Sequence, residues 1–161
     1  MMAAASESVR HLVEDLLHEW ARRIDEDRLE ALAELLTADG SYRIASRYNL
    51  DRGLQLSVIH CRGPAQLRDR ITSLRIANVY EPHYYRHILS GVQVIGESAG
   101  ALDVRTNYMV VRIMEHDGVS SIFSTGQYRD RVVVTDGQAR FAERLVVFDS
   151  KAIDTLLAIP L

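Results

Sequence analysis

The chain has 161 residues, of which 47% are hydrophobic and 25% are charged, and this is enough for one compact domain with a buried core. Its formal net charge of −3 argues against the basic surface that nucleic-acid-binding proteins present, and no apolar run is long enough to span a bilayer. Residues 1–9 lack the charged-then-apolar pattern of a signal peptide. We therefore expect one domain over residues 1–161, located in the cytoplasm, that binds neither nucleic acid nor membrane.

Three apolar patterns with helical spacing are found in the first half of the chain. The first consists of Val9, Leu12, Val13, Leu16, Leu17 and Trp20. Ser6 or Ser8 can cap this helix, because a serine hydroxyl accepts a hydrogen bond from an unpaired N–H of the first turn. The second, shorter pattern consists of Leu29, Leu32, Leu35 and Leu36. Asp39-Gly40 is expected to end that segment as a turn.

The third helix is predicted to begin near Gly63-Pro64, because proline suits the first helical position. Its apolar stripe consists of Leu67, Ile71 and Leu74. Between the second and third helices, residues 41–46 have the composition of a first strand.

The second half of the chain has the composition of β-strands. Four runs rich in β-branched and aromatic residues cover residues 87–95, 102–114, 119–134 and 140–149. They are separated by Glu97-Ser98-Ala99-Gly100, Asp117-Gly118 and Asp136-Gly137. Asp-Gly between two strands favours a tight hairpin, because glycine accepts the positive φ that such turns need. The sequence therefore predicts a four-stranded antiparallel meander.

Alternation in the last strand indicates which face is buried. Phe141, Leu145 and Val147 are expected to face the core, and Arg140, Ala142 and Arg144 the other side. This alternation is interrupted at Glu143. Helices followed by strands predict an α+β fold, in which three N-terminal helices pack on a long, curved, mainly antiparallel sheet. Such a cone can enclose a pocket.

The order of these elements resembles the cone-shaped fold of nuclear-transport-factor-2-like proteins. Local sequence resembles, more specifically, the β (small) subunits of Rieske-type aromatic-ring-hydroxylating dioxygenases. The segments that carry this resemblance are Asp69-Arg70-Ile71, residues 77–88 (ANVYEPHYYRHI), residues 107–112 (NYMVVR) and residues 149–161 (DSKAIDTLLAIPL). The likeness covers nearly the whole chain.

The resemblance implies a structural subunit without catalytic, cofactor-binding or metal-binding residues. In that family a large α subunit carries a Rieske [2Fe-2S] cluster and a mononuclear iron. The expected partners are this α subunit and other copies of the chain, in a trimer or in a hexamer of three α and three β chains. The complex adds dioxygen to an aromatic ring with electrons from a reductase, and the resemblance favours aromatic carboxylates such as terephthalate or anthranilate as substrates.

The cysteine content agrees with that expectation. Cys61 is the only cysteine, whereas a Rieske cluster requires two cysteines and two histidines. A disulfide within the chain is excluded for the same reason. Cys61 could in principle be a nucleophile, but nothing nearby in the sequence would lower its pKa, so we interpret it as a structural thiol.

His83, His87 and Glu81 are a possible metal-ligating set, because two histidines and a carboxylate can hold non-haem iron. Pro82 argues against one helix that carries all three, and Arg86 would repel a cation. The alternative, which we favour, is that Arg86 and His87 anchor the start of the strand by hydrogen bonds and ion pairs, or face a partner.

Two further groups of polar residues could carry chemistry. Glu115-His116-Asp117 precedes Gly118 at a predicted hairpin tip, so a solvated turn is expected. The second group consists of Asp103, Tyr108, Tyr128 and His87. An acid or histidine acting as a base, with a tyrosine as oxyanion donor, would suit a stand-alone isomerase or dehydratase. That activity is the alternative to a structural subunit.

Two segments are candidates for contact with other chains. Tyr80, Tyr84, Tyr85 and Arg86 form an aromatic and arginine cluster of the kind that is enriched at protein interfaces, although one or two of the tyrosines could equally pack in the core. The tail, residues 153–161, is strongly apolar, so we expect it to be buried against its own sheet or against a neighbour.

Overall fold

The computed structural model describes residues 6–77, 79–151, 157 and 159–161. The helical elements in these residues are α1 (Glu7–Asp25), a 3₁₀ helix (Leu29–Leu35), α2 (Arg47–Asp51) and α3 (Pro64–Ala77). The strands are β1 (Leu36–Ser46), β2 (Ile59–Arg62), β3 (His83–Ser98), β4 (Ala101–Met114), β5 (Ser120–Thr135) and β6 (Gln138–Phe148). The predicted helices and the predicted meander are therefore all present, most of them longer than their sequence patterns.

Helix α1 forms where its apolar stripe predicts it. The hydroxyl of Ser6 accepts a hydrogen bond from the backbone N–H of Val9 at 3.3 Å, so Ser6 is the cap. The side chains that α1 buries are Val13, Leu16, Leu17, Trp20, Ala21 and Ile24. In α3, Leu67, Ile71 and Leu74 are buried as expected.

The second helical pattern is a 3₁₀ helix that stops at Leu35, and Leu36 already belongs to β1. The predicted turn at Asp39-Gly40 is wrong, since both residues lie inside β1. Glycine is needed there for close approach of strands: a Cβ on Gly40 would lie 2.6 Å from the carbonyl oxygen of Phe141. The pairing of β1 with β6 changes register at this point, between Leu36 and Ser41.

Two short elements were not predicted from the sequence. Helix α2 has five residues and β2 has four, too few to show a periodic pattern. Strand β2 pairs antiparallel with β1, with Ile59 opposite Ile44.

The strands form one six-stranded sheet in the order β2-β1-β6-β5-β4-β3. The β1–β6 pair is parallel and the other four pairs are antiparallel. Asp136 and Gly137 both have positive φ, 51° and 73°, which is the conformation that Asp-Gly favours in a two-residue hairpin. The expected mainly antiparallel sheet is confirmed.

Strand β6 contains a β-bulge that changes which side chains face the core. Glu143 pairs with Arg131 and Phe141 pairs with Val132, so Ala142 is an extra residue. The prediction that Arg144 faces outward and Leu145 inward is wrong: Arg144 is fully buried and Leu145 is partly exposed. One inserted residue reverses the side on which the following residues lie.

The helices cover one face of this sheet and enclose the apolar core. Trp20 of α1 lies at its centre, with ring centroids 5.1 Å from Tyr42 and 5.6 Å from Phe141. The α+β fold with helices packed on a mainly antiparallel sheet is thereby confirmed. None of the helices in the described residues is long and apolar enough to cross a membrane.

Candidate functional site

A fully buried ion pair lies on the inner, helix-covered face of the sheet. Asp130 of β5 and Arg144 of β6 are directly opposite each other, and Arg144 Nη1 donates to Asp130 Oδ2 at 2.8 Å. The guanidinium also lies over the rings of Tyr128, Phe141 and Trp20, at 3.8, 4.6 and 5.0 Å from their centroids. The bulge at Ala142 creates this arrangement.

Burial raises the pKa of Asp130 to about 6, although Arg144 acts in the opposite direction. Polar atoms without a protein hydrogen-bond partner in the described residues cluster around the pair: Thr106 Oγ1, Tyr128 Oη, Asp130 Oδ1, and Arg144 Nε and Nη2. Burying an ion pair costs desolvation free energy, and removing one partner costs more because the other charge stays buried without a counterion. The break in the strand alternation at Glu143 was the sequence signal for the bulge that turns Arg144 inward. No sequence pattern pointed to Asp130.

The residues proposed for an isomerase or dehydratase are only partly brought together. The rings of Tyr108 and Tyr128 stack at 4.5 Å, and Tyr108 shares a 2.9 Å hydrogen bond with Ser124. Burial raises the pKa of both tyrosines. Asp103 lies on the opposite face of the sheet, 3.6 Å from Arg131. The acid and the tyrosines therefore do not converge.

His87 is bound by a residue that the sequence did not indicate. Asp25, at the end of α1, accepts hydrogen bonds from His87 Nδ1 at 2.6 Å and from the His87 backbone N–H at 3.0 Å. Both side chains are almost completely buried. This contact attaches α1 to β3, so the prediction that His87 anchors the start of the strand is confirmed. Arg86 is exposed on the other face.

The possible metal-ligating set is not assembled. His83 and His87 are four residues apart on β3, which is about 13 Å along a strand. The Tyr85 ring packs against both imidazoles, at 5.1 and 6.2 Å. His83 Nδ1 lies 2.7 Å from the backbone carbonyl of Glu81. In the described residues, no three histidine, cysteine or acidic side chains are grouped as metal ligands would be.

The segment Glu115-His116-Asp117 is the solvated turn that the sequence predicts. His116 contacts Glu81 at 3.0 Å and Asp117 at 3.1 Å, and all three side chains are well exposed. Gly118, with φ of 70°, completes the turn.

A cleft of about 310 Å³ lies between the end of α1 and the start of β3. Its lining consists of Ile24, Asp25, Asp27, Tyr80, Pro82, His83, Tyr84, Tyr85, Glu115 and Ile159. Aromatic rings and carboxylates therefore dominate its wall. His87 does not line it.

The aromatic and arginine cluster is divided between the two faces of the sheet. Tyr85 packs in the core and Tyr80 packs partly against it. Tyr84 and Arg86 lie on the face opposite the helices. With Ile88 and Ile122 they form what we call the outer patch, because Arg86, Val111 and Ile122 are successive partners across β3, β4 and β5. Tyr84, Ile88 and Ile122 are 56%, 47% and 66% exposed.

The end of the tail is buried, as expected. Leu157, Ile159 and Leu161 belong to the core, and the Tyr42 hydroxyl lies 3.0 Å from both the carbonyl oxygen and the backbone N–H of Leu161. Trp20 Nε1 donates to the same carbonyl at 3.3 Å. The predicted burial of residues 153–156 and 158 falls outside the described residues. Cys61 is buried, which raises the pKa of its thiol.

Known proteins share the sequence and the fold of this chain over most of its length. The SnoaL-like domain family matches residues 7–145. The small subunit of anthranilate 1,2-dioxygenase from Burkholderia cepacia is 38% identical over 91% of this chain and 90% of its own length. A β subunit of the terminal oxygenase component of terephthalate 1,2-dioxygenase from a Comamonas species is 39% identical over 88% of this chain and 92% of its own.

A solved structure is similar over almost the full length. It is the β subunit assigned to an aromatic-ring-hydroxylating dioxygenase of Novosphingobium aromaticivorans DSM 12444, with a TM-score of 0.85, 30% identity, and coverage of 95% of this chain and 97% of that one. Sequence similarity and fold lead to one assignment. The chain belongs to the SnoaL-like domain family and, within it, to the small (β) subunits of aromatic-ring-hydroxylating dioxygenases.

Proposed function

We propose that this chain is a supporting subunit of an aromatic-ring-hydroxylating dioxygenase and that it contributes no catalytic, cofactor-binding or metal-binding residue to ring hydroxylation. The observation that carries the proposal is the 38% identity to an anthranilate dioxygenase small subunit over 91% of the chain. A single-domain organisation and a cytoplasmic location, both expected from the sequence, belong to the same proposal.

The chemistry of the side chains supports a division of labour between subunits. A Rieske cluster needs two cysteines and two histidines, whereas this chain has only Cys61, which is buried. Inside the cone, Asp130 is paired with Arg144 and Asp25 with His87. We therefore place the Rieske [2Fe-2S] cluster and the mononuclear iron in a large α partner subunit.

The substrate of the complex is proposed to be an aromatic carboxylate. The support is that two similar proteins are named as subunits of anthranilate and terephthalate dioxygenases.

Assembly is proposed to use the outer patch. Exposed apolar side chains on a sheet face, together with an arginine that has exposed donors, are typical of protein interfaces. Arginine suits such a position because its planar guanidinium makes forked hydrogen bonds and is weakly hydrated. We propose that the patch contacts another chain of the complex, in a trimer of this subunit or a hexamer of three α and three β chains.

Co-expression with a candidate large subunit tests the function. We expect the two chains to co-purify as one complex that contains iron, and the isolated small subunit to bind no stoichiometric iron. The mass of the complex and its iron content per chain are the measurements. The proposal would be contradicted if the small subunit did not bind the large subunit. It would also be contradicted if the isolated small subunit bound about one iron per chain and lost it in His83→Phe or His87→Phe.

A further inference from the structure

A row of basic side chains crosses the outer face of the sheet. Successive partners along this row are Arg105 of β4, Arg129 of β5, Leu145 of β6, Arg43 of β1 and His60 of β2. Each of the three arginines stands between two buried residues of its own strand, and successive side chains of a strand point to opposite faces. The arginines therefore point away from the core and are partly exposed. We call Arg105, Arg129 and Arg43 the basic row.

The hydrogen bonds of the basic row go only to neutral acceptors in the part of the chain that the structure describes. Arg105 donates to the carbonyl of Val104 at 3.3 Å, and Arg129 donates to the Gln127 side chain at 3.2 Å. Arg43 donates to the Ser57 hydroxyl. None of the three arginines forms an ion pair with a described residue, so each retains a charge that a carboxylate would satisfy.

The arrangement of the row is unfavourable within the chain alone. Arg105 and Arg129 are cross-strand partners, and like charges directly opposite each other destabilise a sheet. The carboxylates of the adjoining row, Asp103 and Glu143, both lie opposite Arg131, and Asp103 contacts it at 3.6 Å. Acidic groups supplied by another molecule would offset the repulsion within the basic row.

The spacing of the row favours a protein segment as that other molecule. Neighbouring strands lie roughly 4.8 Å apart, so Arg105 and Arg43 are roughly 14 Å apart across three strand steps, with apolar Leu145 between them. One small anion cannot bridge this distance, whereas a segment with several carboxylates can. A nucleic-acid backbone would meet the carboxylates of the adjoining row, and the whole chain has a net charge of −3.

The position of the row favours the large subunit over a second copy of the chain. Arg105 lies on the same side of β4 as Val111, which belongs to the row of partners through the outer patch. A partner that covers the outer patch therefore reaches the basic row along one strand. A symmetric contact between two copies through this face would bring like charges together, because both copies then use the same surface.

We propose that the basic row binds carboxylate side chains of the large partner subunit, next to the apolar contact made by the outer patch. This inference rests on the proposed function, which supplies the large subunit as the partner. Arginine suits the role because its planar guanidinium binds a carboxylate through two parallel hydrogen bonds. Exposed ion pairs are screened by salt, so the association of the two subunits should weaken as the salt concentration rises.

The test is sedimentation of the co-expressed complex over a dilution series, at low and at high sodium chloride concentration. Arg105→Gln/Arg129→Gln removes two charges and should raise the Kd at low salt about tenfold and abolish most of its salt dependence. Arg105→Lys/Arg129→Lys keeps the charges and should keep the salt dependence. The control Arg10→Gln/Arg68→Gln makes the same change in charge at exposed helix positions and should alter neither quantity.

The possible failures are distinguishable. A wild-type complex whose affinity and salt dependence are unchanged in Arg105→Gln/Arg129→Gln would overturn this inference and leave the proposed function standing. Absence of any complex in the wild type would overturn the proposed function and this inference with it. A variant that binds the large subunit normally but associates less with its own copies would overturn the inference in favour of a contact between copies.

The fold of the double variant is checked by its melting temperature. Because the substitutions remove a like-charge pair, Arg105→Gln/Arg129→Gln should melt no lower than the wild type. If the double variant does not fold, Arg129→Gln alone replaces it. The expected result is then a smaller increase in Kd with a weaker salt dependence, and an unchanged Kd and salt dependence would overturn the inference.

Discussion

The two faces of the sheet differ in the environment of their arginines. On the inner face Arg144 is fully buried, paired with Asp130 and surrounded by three aromatic rings. On the outer face Arg86 is exposed, and Ile88 and Ile122 expose apolar side chains on the same face. The buried charges of the inner face are paired within one chain, whereas the outer face exposes apolar surface that a partner could cover. We infer that the inner face maintains the fold and the outer face serves assembly.

The largest effect is expected from breaking the inner ion pair. Arg144→Met keeps much of the side-chain volume but leaves Asp130 buried without its counterion, and loss of one partner of a buried pair costs about 3–5 kcal/mol. Chemical denaturation measures this loss. The control is Arg140→Met, an exposed position on the same strand, which should change the free energy of unfolding by less than about 0.5 kcal/mol. Equal effects of the two changes would show that the buried pair does not stabilise the fold.

The effect of Arg144→Met should depend on pH. Burial raises the pKa of Asp130 from 3.8 to about 6, so the folded state holds this proton more tightly than the unfolded state. The resulting stabilisation is full below pH 3.8 and is lost as the pH rises through about 6. Without Arg144 the pKa of Asp130 lies higher still. The destabilisation by Arg144→Met should therefore be larger above pH 7 than near pH 4, and a penalty independent of pH would contradict this account.

The end of the C-terminal tail packs in the core on the inner face of the sheet. It therefore provides a second test of the stabilising role of that face. Leu161→Ala should lower the free energy of unfolding by about 2–5 kcal/mol, since it empties a fully buried position. Val79→Ala, at a side chain that is 95% exposed, is the control and should have little effect. A melting temperature of Leu161→Ala equal to that of the wild type would mean that the tail does not stabilise the fold.

A smaller effect, on association only, is expected from the outer face. Arg86→Ala should weaken assembly by about 2 kcal/mol if the arginine is a central anchor of the interface, while circular dichroism and the melting temperature stay unchanged. Arg68→Ala, at an exposed position on α3, is the matched control. Light scattering with and without the large subunit measures the association. If Arg86→Ala assembles as the wild type does, Arg86 is not an anchor of the interface.

The comparison also separates what could be predicted from the sequence from what could not. Helix α1 and the Asp136-Gly137 hairpin follow from local patterns, a long apolar stripe and a turn dipeptide, so both were predicted. The inward direction of Arg144 depends on one bulge residue, Ala142, whose position is set by pairing with β5. The role of Gly40 depends on contact with Phe141, about a hundred residues away in the chain.

The candidate sites show the same limit. His87 and Tyr85 could be singled out from the sequence, but Asp25, which holds His87, lies 62 residues earlier and carried no signal. Likewise Asp130 becomes notable only when Arg144 is seen opposite it. Spacing along the chain can indicate which residues share a strand face, whereas the partners come from other elements that the fold brings near.

The most direct test of the central claim is the native mass of the small subunit co-expressed with its large partner, for the wild type and for the double variant Ile88→Asp/Ile122→Asp. Both substitutions lie on the outer patch and leave the inner face intact. We predict that the wild type forms a hetero-oligomer, and that the variant folds with an unchanged melting temperature but remains apart from the large subunit or from other copies of itself. A variant that assembles as the wild type does, or a wild-type chain that stays monomeric beside its large partner, would contradict the assignment of the outer face to assembly.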